Sequence, residues 1–184
     1  MKRMFSLLGA AVLLFALSSC GSAVPASSAT ALPESVPASA AAVSVQSEQL
    51  EAVLTRLFDC ATLPEGAELT PEWLIETFPE CTESACRKSL YDKGVAGMAL
   101  FPNAIPGTAC RYAPAQITTE ERSAGNYSYQ AVLDVTDGAY PSVTLSGQLQ
   151  TDEAGQISYI SFDEVAADGK LLPGGLVEVY RSTQ

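Results

Sequence analysis

Any chemistry in this chain must come from cysteines, carboxylates, tyrosines or lysines, because it contains no histidine. That absence removes Ser-His-Asp and Cys-His nucleophiles, His-ligated zinc and imidazole proton transfer together. Acidic residues pair at Glu120-Glu121, Asp134 with Asp137, Asp152-Glu153 and Asp163-Glu164. A carboxylate enzyme or a calcium site needs such groups to converge. Neighbours on a strand point to opposite faces, however, and Asp152-Glu153 and Asp137-Gly138 read as turn residues, with Glu120-Glu121 in a solvated loop. No residue is assigned a catalytic or metal-binding role, and no cofactor is implied.

Besides Cys20 there are four cysteines, Cys60, Cys81, Cys86 and Cys110. An even number in an exported chain points to two disulfides rather than reactive thiols, with three connectivities open. If Thr82 caps a helix running through Cys86 and Leu90, Cys81 falls at N′ and Cys86 at N4, positions that meet in a hydrophobic staple. That favours Cys81 with Cys86 and leaves Cys60 with Cys110. The second bridge would close a long loop, worth about 4 kcal/mol in the chain-entropy model. A redox or metal role for Cys81 and Cys86 fits less well, since the spacing is not Cys-x-x-Cys.

The elements that must position these residues are helices first and strands afterwards. Leu50, Val53, Leu54, Leu57 and Phe58 repeat at helical spacing, which predicts an amphipathic helix from Glu48 to about Cys60. Thr70-Pro71-Glu72 is a helix start with a capping hydroxyl, and Leu69 can staple to Leu74. A third helix is expected over Glu83 to Lys93, stopped by Gly94. The segment from Gly94 to Gly107 is apolar but broken by Gly and Pro, and reads as a packed loop or a pocket rim.

From Thr108 onward the period becomes two. Tyr127, Tyr129, Ala131, Leu133 and Val135 alternate with polar residues, as do Val143, Leu145, Gly147 and Leu149. Asp152-Glu153-Ala154-Gly155 makes a hairpin turn into Ile157–Phe162, and Leu176–Arg181 is expected as a last edge strand. Together these predict an α+β domain with N-terminal helices packed on a curved antiparallel sheet. The helical start Leu50–Phe58 and the hairpin Val143–Phe162 resemble the cystatin-like and NTF2-like cone folds, which implies helices lying in the concavity of the sheet. The resemblance transfers no functional residue. Aromatics at these periods are ordinarily core; Tyr127 and Tyr129, sharing one face, are the candidate ligand contacts near a cone mouth.

The N-terminus carries an address. Met1-Lys2-Arg3 is a basic n-region, and Met4–Leu17 is an apolar run too short for a span of roughly 20 residues. Leu17-Ser18-Ser19-Cys20 closes it and resembles the lipobox of bacterial lipoproteins. The resemblance implies cleavage before Cys20 and a diacylglyceryl group on its thiol, a membrane anchor without a transmembrane helix. Residues 1–19 are thus expected to be a signal peptide. Residues 20–47 would be the lipidated cysteine and an Ala/Ser/Pro-rich linker spanning roughly 30 Å as a coil, the alternative of a partly helical stalk at Ala38–Val45 being disfavoured by its lack of caps and charges, and residues 48–184 one globular domain.

Removing Lys2 and Arg3 with the signal takes the net charge from −11 to −13. Such a chain lacks the basic clusters that bind phosphates, so nucleic acid is not an expected partner. The reading is a membrane-anchored module facing outside the cytoplasm, non-enzymatic, meeting either a small apolar ligand in the cone or an envelope protein through the sheet. The alternative is a His-free extracellular enzyme working through two converging carboxylates.

Overall fold

The structure, a computed structural model, describes residues 38–104 and 109–181. Helix α1 (Ala38–Phe58) presents Leu50, Val53, Leu54, Leu57 and Phe58 to the interior, each at most 3% exposed. It begins at Ala38, within the segment expected to be linker through Ser47. Ala40, Ala41 and Ala42 are the best helix formers, and neither Pro nor Gly interrupts residues 38–58. Each residue added to a helix already anchored by packing gains one hydrogen bond without a new nucleus. Periodicity could not reveal this extension because alanine and serine carry no apolar stripe.

A 3-10 turn (Cys60–Thr62) follows, and then α2 (Pro71–Thr77) with the expected cap: the Trp73 amide donates to Thr70 Oγ1 at 3.1 Å. Leu69 and Leu74 both join the core. Thr70→Ala is expected to cost about 1 kcal/mol, read as a lower urea midpoint at unchanged slope, with Thr70→Ser keeping most of the wild-type stability.

The third helical segment is a π-helix (Ala85–Asp92), in which the Lys93 amide reaches the Lys88 carbonyl. Its buried residues are Ala85, Cys86, Ser89 and Leu90, two pairs spaced by four. Gly94, at φ 74°, ends it as expected. The apolar segment beyond holds two short helices, α3 (Val95–Ala99) and α4 (Phe101–Ala104). The Tyr112 hydroxyl bonds the Met98 and Ala99 carbonyls and so fastens α3 to the sheet.

The described strands form one antiparallel meander in the order β1 (Arg111–Ser123), β2 (Asn126–Thr136), β3 (Ser142–Thr151), β4 (Ile157–Ala167) and β5 (Lys170–Leu171). The domain is α+β with helices packed on a curved sheet. Tyr127, Tyr129, Ala131 and Leu133 of β2, with Val143, Leu145 and Leu149 of β3, bury one face against α1 and its neighbours. Two register shifts between β3 and β4 leave Asp163 and Ser158 without a partner opposite, and bulges of this kind bend and twist a strand. The turn at 152–155 is held by Asp152, whose Oδ1 accepts from the amides of Ala154 and Gln156, with Gly155 at φ 80°.

Each long outer strand is met at one point by a helical or loop segment. On β1 the Thr119 amide, facing away from β2, donates to Glu51 Oε1 of α1 at 3.0 Å. On β4 the Ile157 backbone pairs with Glu80 and Thr82 across a parallel bridge at Cys81. These contacts satisfy the edge groups of Thr119 and Ile157. The C-terminal segment expected as an edge strand is instead helix α5 (Leu176–Arg181). Its Leu176 and Val179 are buried at a spacing of three, and Glu178 in the first turn reaches back to accept from the Gly174 amide at 2.8 Å.

Candidate functional site

Alternation along β1 to β4 sends one residue set into the core and the other to the outer face. Register then lines up residues from four strands in rows: Thr118, Gln130, Ser146 and Glu164 in one, and Glu120, Ser128, Gln148 and Ser161 in the next. These rows, Ser161 apart, line a depression of about 660 Å³ on the outer face of the sheet. Its floor is Gly147, where no side chain intervenes and the Tyr129 ring lies close from the other side.

The polar groups here are partly tied to one another. Arg122 donates to Glu120 at 2.8 Å and to Ser128 Oγ at 2.8 Å. Asp163, the bulged residue of β4, accepts from Ser161 Oγ at 3.2 Å and Gln148 Nε2 at 3.4 Å. Glu120 and Asp163 stand on β1 and β4 with two strands between them, about 14 Å at three spacings of roughly 4.8 Å. Paired-carboxylate hydrolysis uses separations of about 5 to 9.5 Å. What this surface offers is a field of donors and acceptors for a polar partner.

The bulge brings Asp163 and Glu164 to the same depression, whereas the other paired acids do not meet. Glu120 and Glu121, expected in a loop, lie on β1, with Glu121 opposite Tyr127 and Glu120 opposite Ser128, so they point to opposite faces. Asp134 lies on β2, and Asp137 sits at φ 54° in the bend after that strand. Asp152 is spent on its own turn. Among the described residues no cluster of three or more His, Cys, Asp or Glu could hold a metal ion.

Tyr127 and Tyr129 share the core face, as expected, and both are 3% exposed. Tyr129 packs its ring 5.7 Å from that of Phe58 and donates its hydroxyl to the Ser161 carbonyl at 2.7 Å. Burial, then the nearby Asp163, push its phenol well above the ordinary range. Tyr127 borders a separate hollow of about 420 Å³ with Gln46, Glu121 and Asp152, and burial and Glu121 raise its phenol too. On the sheet-facing side of α1, Leu54, Leu57 and Phe58 are each at most 1% exposed. A cavity of about 350 Å³ beside α1 is lined in part by Leu50, Val53 and Ile157 of the same core cluster.

Cys60, Cys81, Cys86 and Cys110 are all buried. Cys81 donates to the sulfur of Cys86; that bond, then burial, raise the Cys81 thiol, while the same bond holds Cys86 below its usual range. Burial raises Cys60, opposed by the Tyr112 amide. It raises Cys110 as well, and charge on Cys60 adds to the effect. Cys20 lies outside the described residues. Among the described residues no helix is long and apolar enough to cross a membrane.

Compared with known proteins, the chain matches no family model, no curated protein and no solved structure. The outer-face residues Thr118, Gln130, Ser146 and Gln148 were not singled out by sequence reasoning. Their only signal is polar alternation, which marks any solvated sheet face.

Proposed function

We propose that this protein is an exported bacterial lipoprotein, held outside the cytoplasm by lipid on Cys20, whose α+β domain is a non-enzymatic binding or accessory module for an envelope protein. The observation that carries this reading is the register at the N-terminus: a basic start, an apolar run from Met4 to Leu17, and small residues directly before Cys20.

The polar outer face favours a macromolecular contact over a small apolar ligand. The separation of Glu120 from Asp163 and the lack of histidine weigh against the paired-carboxylate alternative. In a bacterial host, wild type is expected in the membrane fraction and resistant to high-salt washing. Cys20→Ala should shift most of the protein out of that fraction while its circular dichroism stays unchanged. Equal partition of the two proteins would refute the anchor.

A further inference from the structure

The four buried cysteines fall into two neighbourhoods at distant parts of the sheet. Cys60 opens the 3-10 turn beside the start of β1, where the Tyr112 amide approaches its sulfur, and Cys110 immediately precedes that strand. Cys81 bridges to Ile157 at the start of β4, and its thiol contacts Cys86 in the π-helix. The N-terminus of that helix brings them together: Thr82 Oγ1 accepts from the Ala85 amide at 3.1 Å and its carbonyl from the Cys86 amide at 3.0 Å. This turns the chain back so that the residues on either side of the cap face each other.

We propose that the domain carries two disulfides, Cys81–Cys86 and Cys60–Cys110, formed as the chain folds in contact with a disulfide-bearing oxidant. The other two connectivities would join the β1 side to the β4 side. Two strands intervene, about 14 Å at strand spacing, whereas a bridge needs Cα atoms within roughly 7 Å. In each bridge one cysteine thiolate attacks a sulfur of the oxidant's disulfide and expels a thiolate. The second cysteine then attacks the mixed disulfide and expels the other. Two cysteine thiols are oxidised, one external disulfide is reduced, and the two protons end on the released thiols. The pairing rests on this geometry; only the meeting with an oxidant in the cell rests on the export reading.

The test uses the chain purified from a bacterial host, reduced in denaturant and refolded with reduced and oxidised glutathione. Free thiols are then alkylated, and the protein is cut with trypsin and a glutamate-specific protease. Residues 81–83 should appear linked to 84–87, and 57–65 linked to 94–111, with alkylated cysteine at trace level. In Cys86→Ser the first link should vanish, Cys81 should become alkylated, and the second link should persist. Four alkylated cysteines, or a link from 57–65 to either 81–83 or 84–87, would overturn the assignment. The same map on protein alkylated directly in the host separates the two readings: reduced cysteines there, with correct links after refolding, would uphold the pairing and contradict export.

Discussion

Gly147→Ala is expected to destabilise the domain by about 3 kcal/mol, the upper end of overpacking costs. A Cβ at this position would collide with the Ser161 backbone carbonyl and come within 2.6 Å of the Tyr129 hydroxyl. The carbonyl belongs to bulged β4 and cannot yield without moving the strand, while the tyrosine ring is held by Phe58 and by its own hydrogen bond to Ser161. Trimming the hydroxyl leaves the Ser161 carbonyl and the ring carbon Cζ, 2.7 Å from the Cβ position, both in the way. The double variant Gly147→Ala with Tyr129→Phe should therefore remain well below Tyr129→Phe alone. Urea unfolding followed by Trp73 fluorescence reads this directly, because Trp73 is the only tryptophan and packs 6.4 Å from the Phe78 ring. A Gly147→Ala midpoint equal to wild type would mean that the bulge is not packed as described.

Phe58→Ala should cost slightly more, about 4 kcal/mol, within the range for buried aromatics cut to alanine. The side chain is fully buried at the end of α1, with its ring against Tyr129 in the middle of the sheet. Small domains have a total stability of roughly 5 to 15 kcal/mol, so this one truncation removes a large share of it. Phe58→Leu keeps most of the volume and should lose less than half as much. Loss of near-ultraviolet dichroism at moderate temperature in Phe58→Ala, retained in Phe58→Leu, is the expected result. Equal stability of the two variants would place Phe58 outside the core.

These two positions also show what the sequence made legible. Phe58 was visible as the last member of a helical stripe beginning at Leu50, and the Thr70 cap and Asp152–Gly155 turn were legible because each depends on local chemistry alone. Gly147 appeared only as a member of an alternating strand. Its role depends on Tyr129 and Ser161 on the two flanking strands, which come together through register. Strand β1 was read poorly for a related reason: as an edge strand it buries little beyond Tyr112, so Glu120-Glu121-Arg122 resembles a loop. The segment Leu176–Arg181 fits both a two-residue and a three-residue period. Burial of Leu176 and Val179 together with the Glu178 contact decides for the helix. The outer-face depression was illegible as a site because four strands supply it and no single stretch announces it.

The central claim is that Cys20 becomes the lipid-bearing first residue of the mature chain. Intact mass spectrometry of the protein extracted from membranes of a bacterial host tests it most directly. A mature chain beginning at Cys20, heavier than its sequence by a diacylglyceryl group and unmodified in Cys20→Ala, is the predicted result. A soluble, unmodified chain would contradict it and make the protein a secreted one.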